Sequence, residues 1–160
     1  MATLRDYQVG DEPAVVALGL RAWEPVFAAI EELLGDELFS RLRGDWRAGQ
    51  AQAVRNVLAN PGQQVWVAEQ PDETVIGFVA ARLEHATGVG EISMLAVAPS
   101  AQRQGLATAL TDRATDWLQR SGMRVAMVET GGDPAHAPAR RVYQNSGYTA
   151  LPAVRFFELL

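Results

Sequence analysis

The stretch EISMLAVAPSAQRQGLATALTDRATDWLQRSG, residues 91–122, constrains the fold more than any other part of the chain. EISMLAV (91–97) has the apolar content of a strand and runs out at Pro99. From about Gln104 to Arg120, the residues Leu106, Leu110, Ala114 and Leu118 recur at every fourth position, one face of an amphipathic helix. Gly122 stands just past its end, where a helix terminates most easily. MRVAMVE (123–129) follows as a buried-looking strand. Strand, glycine-bearing loop, helix and strand thus form one unit to which the rest of the chain must fit.

The flanking segments extend that unit to a β-α-α-β-β-β-α-β-α-β order. TLRDYQV (3–9) reads as a first strand. A helix follows, with Asp11 as N-cap, Pro13 in the first turn, and Val15, Leu18 and Ala22 on one face. Residues 36–59 read as one broken or two short helices, divided at Gly44 and stopped by NPG (60–62). VWVAEQ (65–70) and VIGFVAARLE (75–84) are strands joined by a turn at PDE. APARRVYQNSG (137–147) is a short helix capped by Gly147, and YTALPAVRFFELL closes the chain as one or two strands. The predicted fold class is α+β: a single domain, 1–160, built on one mixed sheet flanked by helices.

Composition excludes several chemistries. With no cysteine, the chain has no disulfide, no cysteine-based zinc site and no thiol nucleophile. A net charge of −5 disfavours nucleic acid as a partner. MATLRDYQVG lacks a signal-peptide pattern, and no apolar run has membrane-spanning length, so the expectation is a cytoplasmic protein without a membrane partner.

Gln102, Gly105 and Ala107 fit the pattern Q/R-x-x-G-x-G/A. Composition alone predicts roughly half a chance match to it, and Arg41–Gly44, Gln119–Gly122 and Gln144–Gly147 satisfy its first half. Only at 102–107 does it lie between a strand and a helix start. There, small residues leave the backbone amides of the first helical turn unobstructed, and the helix dipole adds to them, which makes an anion site. A plain strand–helix turn, with glycine for geometry, fits the same local residues.

The segment also resembles the acetyltransferase motif of the GCN5-related N-acetyltransferase family: central strand, strand-ending V-x-P at Val97–Pro99, pyrophosphate loop and helix, in order. ARRVYQNSGY (139–148) resembles that family's second signature, A-x-x-x-Y-x-x-x-G-F/Y. The resemblance covers about residues 75–148, while the first 60 residues match by element order. It implies a cleft where two parallel strands splay apart and hold acetyl-CoA. The pantetheine arm would pair with the backbone of Leu95, Ala96 and Val97. The pyrophosphate would sit on the amides of Gln102, Arg103, Gln104, Gly105, Leu106, Ala107 and Thr108, with Arg103 able to add charge. Many relatives carry Asn seven residues before the signature tyrosine; His136 stands there, to replace that contact with the pantetheine, cap the helix or act as a base.

The implied reaction is acetyl transfer from a thioester to an amine, with acetyl-CoA as co-substrate and no metal. Without cysteine, and without a triad spacing for either His, direct attack in a ternary complex is expected. Deprotonating a lysine-like amine at pH 7 costs about 4–5 kcal/mol, an α-amine about 1, so a base matters most for the first class. Glu91 is the first candidate base, because some family members carry a carboxylate at that place in the strand. Glu129 is the second. Tyr143 resembles the tyrosine that protonates the departing thiolate. Acceptor choice should lie in the N-terminal helices, where Trp23, Glu24, Phe27, Asp45 and Trp46 suit an organic cation as well as an ordinary packed helix pair. Three functions fit: an N-acetyltransferase of small-molecule amines, one of proteins or peptides, and a non-catalytic acyl-CoA-binding protein. A homodimer through the apolar C-terminal strand is also expected.

Overall fold

In the computed structural model, which describes residues 1–160, the sheet has five strands in chain order. They are β1 (Thr3–Asp6), β2 (Gln63–Glu69), β3 (Val75–Glu84), β4 (Val89–Val97) and β5 (Val125–Val128). The first four pair antiparallel, and β5 pairs parallel to β4. The sheet is therefore mixed, and the α+β expectation holds. β3 is central and buried continuously from Val75 to Ala81, because helices cover both of its faces.

Helices α1 (Glu12–Leu34), α2 (Asp36–Arg43) and α3 (Trp46–Ala59) form one cover. On that face Trp23 meets Phe78 edge-on, ring centroids 6.3 Å apart. Helix α4 (Leu106–Arg120) covers the other face, and α5 (Ala137–Asn145) packs beside it. There Trp66 meets Trp117 edge-on at 5.5 Å. The stripe read from the sequence faces inward, with Leu110, Ala114 and Leu118 buried together with Thr111. Phe78, Leu18, Leu110 and Leu118 are fully buried, each contributing about 2 kcal/mol of apolar burial.

By length and composition α1 is apolar enough to cross a membrane, but it lies with Val15, Val16, Leu18 and Val26 buried in the fold. It continues through Pro25, whose missing N–H faces solvent and strands no buried carbonyl. Several boundaries are shorter than the sequence predicts: β1 ends at Asp6 and β5 spans four residues. The largest correction is at the C-terminus. No strand forms in 149–160; the segment is exposed and joins no ladder. Pro152 cannot donate to one, and the adjacent Phe156 and Phe157 put apolar groups on both sides of an edge with no second layer.

Candidate functional site

The ladder between β4 and β5 covers only Val89–Ile92 against Val125–Val128. Beyond Ile92 the two strands part, and β4 continues to Val97 with that edge unpaired. A bulge starts the divergence: Ala80 faces Met94 and Ala81 faces Ile92, so Ser93 has no counterpart. Ala98 N–H donates to the Ile76 carbonyl, so in the same register Ala96 bonds to Phe78 on β3, and the backbone groups of Leu95 and Val97 are the ones on the open edge.

At the end of β4 the chain turns through a short 3-10 helix (Pro99–Ala101) into the glycine loop. Arg103 and Gly105 both adopt left-handed backbone, φ 61° and 79°. Gly105 is the N-cap of α4, and nothing lies within 4 Å of where its Cβ would be. The first bond of the helix runs from Ala109 N–H to the Gly105 carbonyl at 3.0 Å. The amides of Leu106, Ala107 and Thr108 therefore point from the helix start without helical partners. Such an open helix start has the geometry and the dipole to hold an anion. Arg103 and Gln104 are exposed beside it. Gln102 differs: its side-chain amide donates to the Val97 carbonyl at 3.1 Å, tying the loop to β4.

Deeper in the cleft, a cavity of about 210 Å³ is lined by Trp23, Gln50, Ser93, Leu95, Glu129 and Tyr143, among others. Tyr143 is buried on α5, and no protein group bonds its hydroxyl. Burial, with Tyr148 nearby, pushes its phenol up to about 12, so it is neutral across the physiological range and holds a proton to give.

The two candidate carboxylates are separated. Glu91 lies directly across from Arg82 on β3, and Arg82 Nε donates to it at 2.6 Å. It lines a second cavity of about 210 Å³ with Arg82, Glu84 and Met127, which shares no lining residue with the one that holds Tyr143. Glu129 shares the Tyr143 cavity. His136 is engaged by Asp133: its backbone N–H donates to the Asp133 carboxylate at 3.1 Å, and its Nδ1 lies 2.5 Å from the other oxygen. Asp133 thus caps the 3-10 turn Pro134–His136, while His136, at the N-cap position of α5, makes no side-chain cap bond. Arg140 donates to the Gly131 and Asp133 carbonyls at 2.7 and 2.9 Å, bracing the same loop.

The N-terminal aromatic and acidic residues are largely spent on packing. Phe27 stacks on Trp46 at 4.3 Å, Arg47 lies 4.4 Å over Trp46 and pairs with Glu24 at 2.9 Å, and Asp45 caps α3. Only Trp23 of that set reaches the cavity. Gln50 and Ser93 had no sequence signal, since both depend on how α3 and the bulge are placed.

Similar proteins agree with this geometry. A mycothiol acetyltransferase of Saccharopolyspora erythraea is 31% identical over 147 residues, covering 89% of this chain and 42% of its own length. The chain spans less than half the length of the curated relatives it matches. Among solved structures, the complex of AAC(6')-Iy with the bisubstrate analogue CoA-S-monomethyl-acetylneamine aligns over 100% of this chain and 99% of that one, with TM-score 0.66 and 17% identity. The ribosomal-protein-S18-alanine N-acetyltransferase of Escherichia coli aligns over 95% and 80%, with TM-score 0.67 and 18% identity. At such identity these two structures speak for the fold. The profile of the acetyltransferase (GNAT) family matches residues 27–148, a span that takes in the splayed strands, the amide cradle and Tyr143, and the chain belongs to that family.

Proposed function

We propose that the protein is an acetyl-CoA-dependent N-acetyltransferase whose acceptor is a primary amine of a small molecule. One observation carries this reading: the unpaired edge of β4 runs from the amide cradle at Gly105 to the cavity that holds Tyr143. A long ligand with an anionic middle and a reactive end fits that path. The cradle has no side chain in the way at Gly105, so the pyrophosphate of acetyl-CoA can reach the amides. The mycothiol and aminoglycoside acetyltransferases among the similar proteins support a small-molecule acceptor.

Acetyl-CoA supplies an acetyl thioester. In this reading the amides of Leu106, Ala107 and Thr108 hold its phosphates, and β4 from Leu95 to Val97 holds its pantetheine arm. Glu129 faces the acceptor amine as a counter-charge. Glu91, fixed by Arg82, receives the ammonium proton through water, and Tyr143 gives its own proton to the departing thiolate.

Thermal melting tests the first half. Acetyl-CoA at 100 times its Kd adds about 2.7 kcal/mol, several degrees for a domain of this size. No shift at millimolar acetyl-CoA would end the reading. Thiol release then screens amines, with no background from a chain that lacks cysteine. A second reading, a peptide N-acetyltransferase, draws on the free edge of β5, the last strand of the sheet. Turnover of peptides but of no small amine would favour it.

A further inference from the structure

Helix α5 ends in a turn that brings two tyrosines together. Gly147, in left-handed backbone at φ 94°, donates its N–H to the Gln144 carbonyl at 3.1 Å, and Tyr148 N–H donates to the Tyr143 carbonyl at 3.0 Å. This pair of bonds sets the residue after the glycine against the one five positions earlier. The two rings lie 6.0 Å apart, inclined by 60°. Tyr148 also reaches away from its own helix. Its hydroxyl lies 2.7 Å from that of Thr115 on α4. Thr115 gives its single hydroxyl hydrogen to the Thr111 carbonyl at 2.9 Å, so Tyr148 is the donor and Thr115 Oγ1 the acceptor. No other hydrogen bond joins α5 or its end turn to α4. Arg140, the other polar tether of α5, holds only the loop that leads into it. Tyr143 is placed by packing alone.

We propose that Tyr148 is a positioning residue for Tyr143: its bond to Thr115 fixes α5 on α4 and so sets where the Tyr143 hydroxyl stands. Thr115 lies two turns along α4 from Ala107, about 12 Å. The amides that would hold the phosphates and the proton donor are thus referenced to one helix. A ligand gripped at the start of α4 presents its reactive end at a set distance, and Tyr148 holds the donor at that distance. Misplacing a reacting group by about 1 Å costs about 10²-fold in rate. The second signature accepts Phe or Tyr at 148, so the role of the hydroxyl belongs to this chain and not to the motif. The catalytic consequence rests on the reading of Tyr143 as the acid; the tether itself does not.

Tyr148→Phe and Thr115→Val each remove the bond and keep the shape. Each should lower kcat about ten-fold with the KM for acetyl-CoA unchanged. Thr115→Ser keeps the hydroxyl and should retain wild-type kcat. Adding Tyr148→Phe to Tyr143→Phe should cost nothing further, because no donor is left to misplace. Wild-type kcat in the first two variants, or a full additional loss in the double variant, overturns the proposal. A second readout needs no turnover. The chain has three tyrosines, so labelling with 3-fluorotyrosine gives three fluorine resonances, and that of Tyr143 is the one missing from Tyr143→Phe. In Thr115→Val it should shift or broaden while that of Tyr7 stays in place. An unmoved Tyr143 resonance overturns the tether. Wild-type kcat in Tyr143→Phe would sink the acid reading, and the fluorine spectra would then decide the tether alone.

Discussion

The side chain of Gln102 holds the carbonyl of Val97 at 3.1 Å, so the first residue of the glycine loop is fastened to the last residue of β4. That bond sets how far the amide cradle stands from the strand edge. A ligand that touches both needs the distance held. Replacing Gln102 with Ala removes a net hydrogen bond of about 1 kcal/mol. We expect acetyl-CoA to bind about five-fold more weakly, with little change in melting temperature. Calorimetric titration on Gln102→Ala checks it, and unchanged affinity would mean the loop keeps its place unaided.

Tyr143 yields a prediction with a pH signature. Tyr143→Phe should cut kcat about 10²–10³-fold and leave acetyl-CoA affinity nearly intact, because the ring still packs while the proton donor is lost. The phenol is raised to about 12, so it stays protonated to high pH. Any alkaline limb of the rate below pH 10 therefore belongs to another group. The same shift acts on stability. The folded state holds this proton more tightly than the unfolded chain, so its contribution is complete below pH 10 and is lost as pH rises from 10 to 12. Denaturant titration of both proteins across that window should show the loss in wild type reduced in Tyr143→Phe.

These residues show where sequence reading reaches and where it stops. The α4 stripe of Leu110, Ala114 and Leu118, the left-handed Gly105 and the inward Tyr143 follow from periodicity and motif within a few turns of chain. The Arg82–Glu91 pair depends on the β3–β4 register, which a bulge at Ser93 shifts by one residue, and a one-residue shift changes which side chains meet. Gln50 enters the cavity only because α3 packs on α1. The C-terminal segment has the composition of a strand, but composition does not supply a partner, and none pairs with it. The aromatic and acidic residues at 24–46 fitted two readings in the sequence, and the packed-pair one matches the structure: Glu24, Phe27 and Trp46 satisfy one another or Arg47 across the α1–α3 seam.

Gly90 sits where α4 presses closest on the sheet. A Cβ built there meets Leu118 and stands 3.0 Å from Met123 Cγ. Both neighbours belong to the core layer behind the parallel strand pair, so they yield only by repacking. Gly90→Ala should destabilise the fold by about 1–3 kcal/mol. Because β4 pairs with β5 through this residue, acetyl-CoA affinity should fall with it. Chemical denaturation measures the first effect. A neutral or stabilising substitution would show that Leu118 moves freely, contrary to its complete burial.

Arg5 ties β1 to β2 through Glu69 and to the turn before α1 through Asp11. Its guanidinium donates to both oxygens of Asp11, at 2.8 and 2.9 Å, and its Nε donates to Glu69 at 2.9 Å. The Asp11 side chain is only 12% exposed. The bond from Arg5 holds its carboxyl below the usual range, against the opposing effect of burial. A carboxyl lowered in the folded state contributes stability that is present above its unfolded value and lost as pH falls through the folded one. Asp11→Asn should therefore cost about 1–2 kcal/mol at pH 7, the worth of a charge-assisted bond that is partly open to water. The gap to wild type should begin to close as pH drops below about 4, where the unfolded carboxyl gains its proton, and shrink further as the folded carboxyl is protonated in turn. Melting curves of the two proteins from pH 7 to pH 2 decide it. A gap that persists undiminished at pH 2 would mean that Asp11 acts through shape and not through its charge.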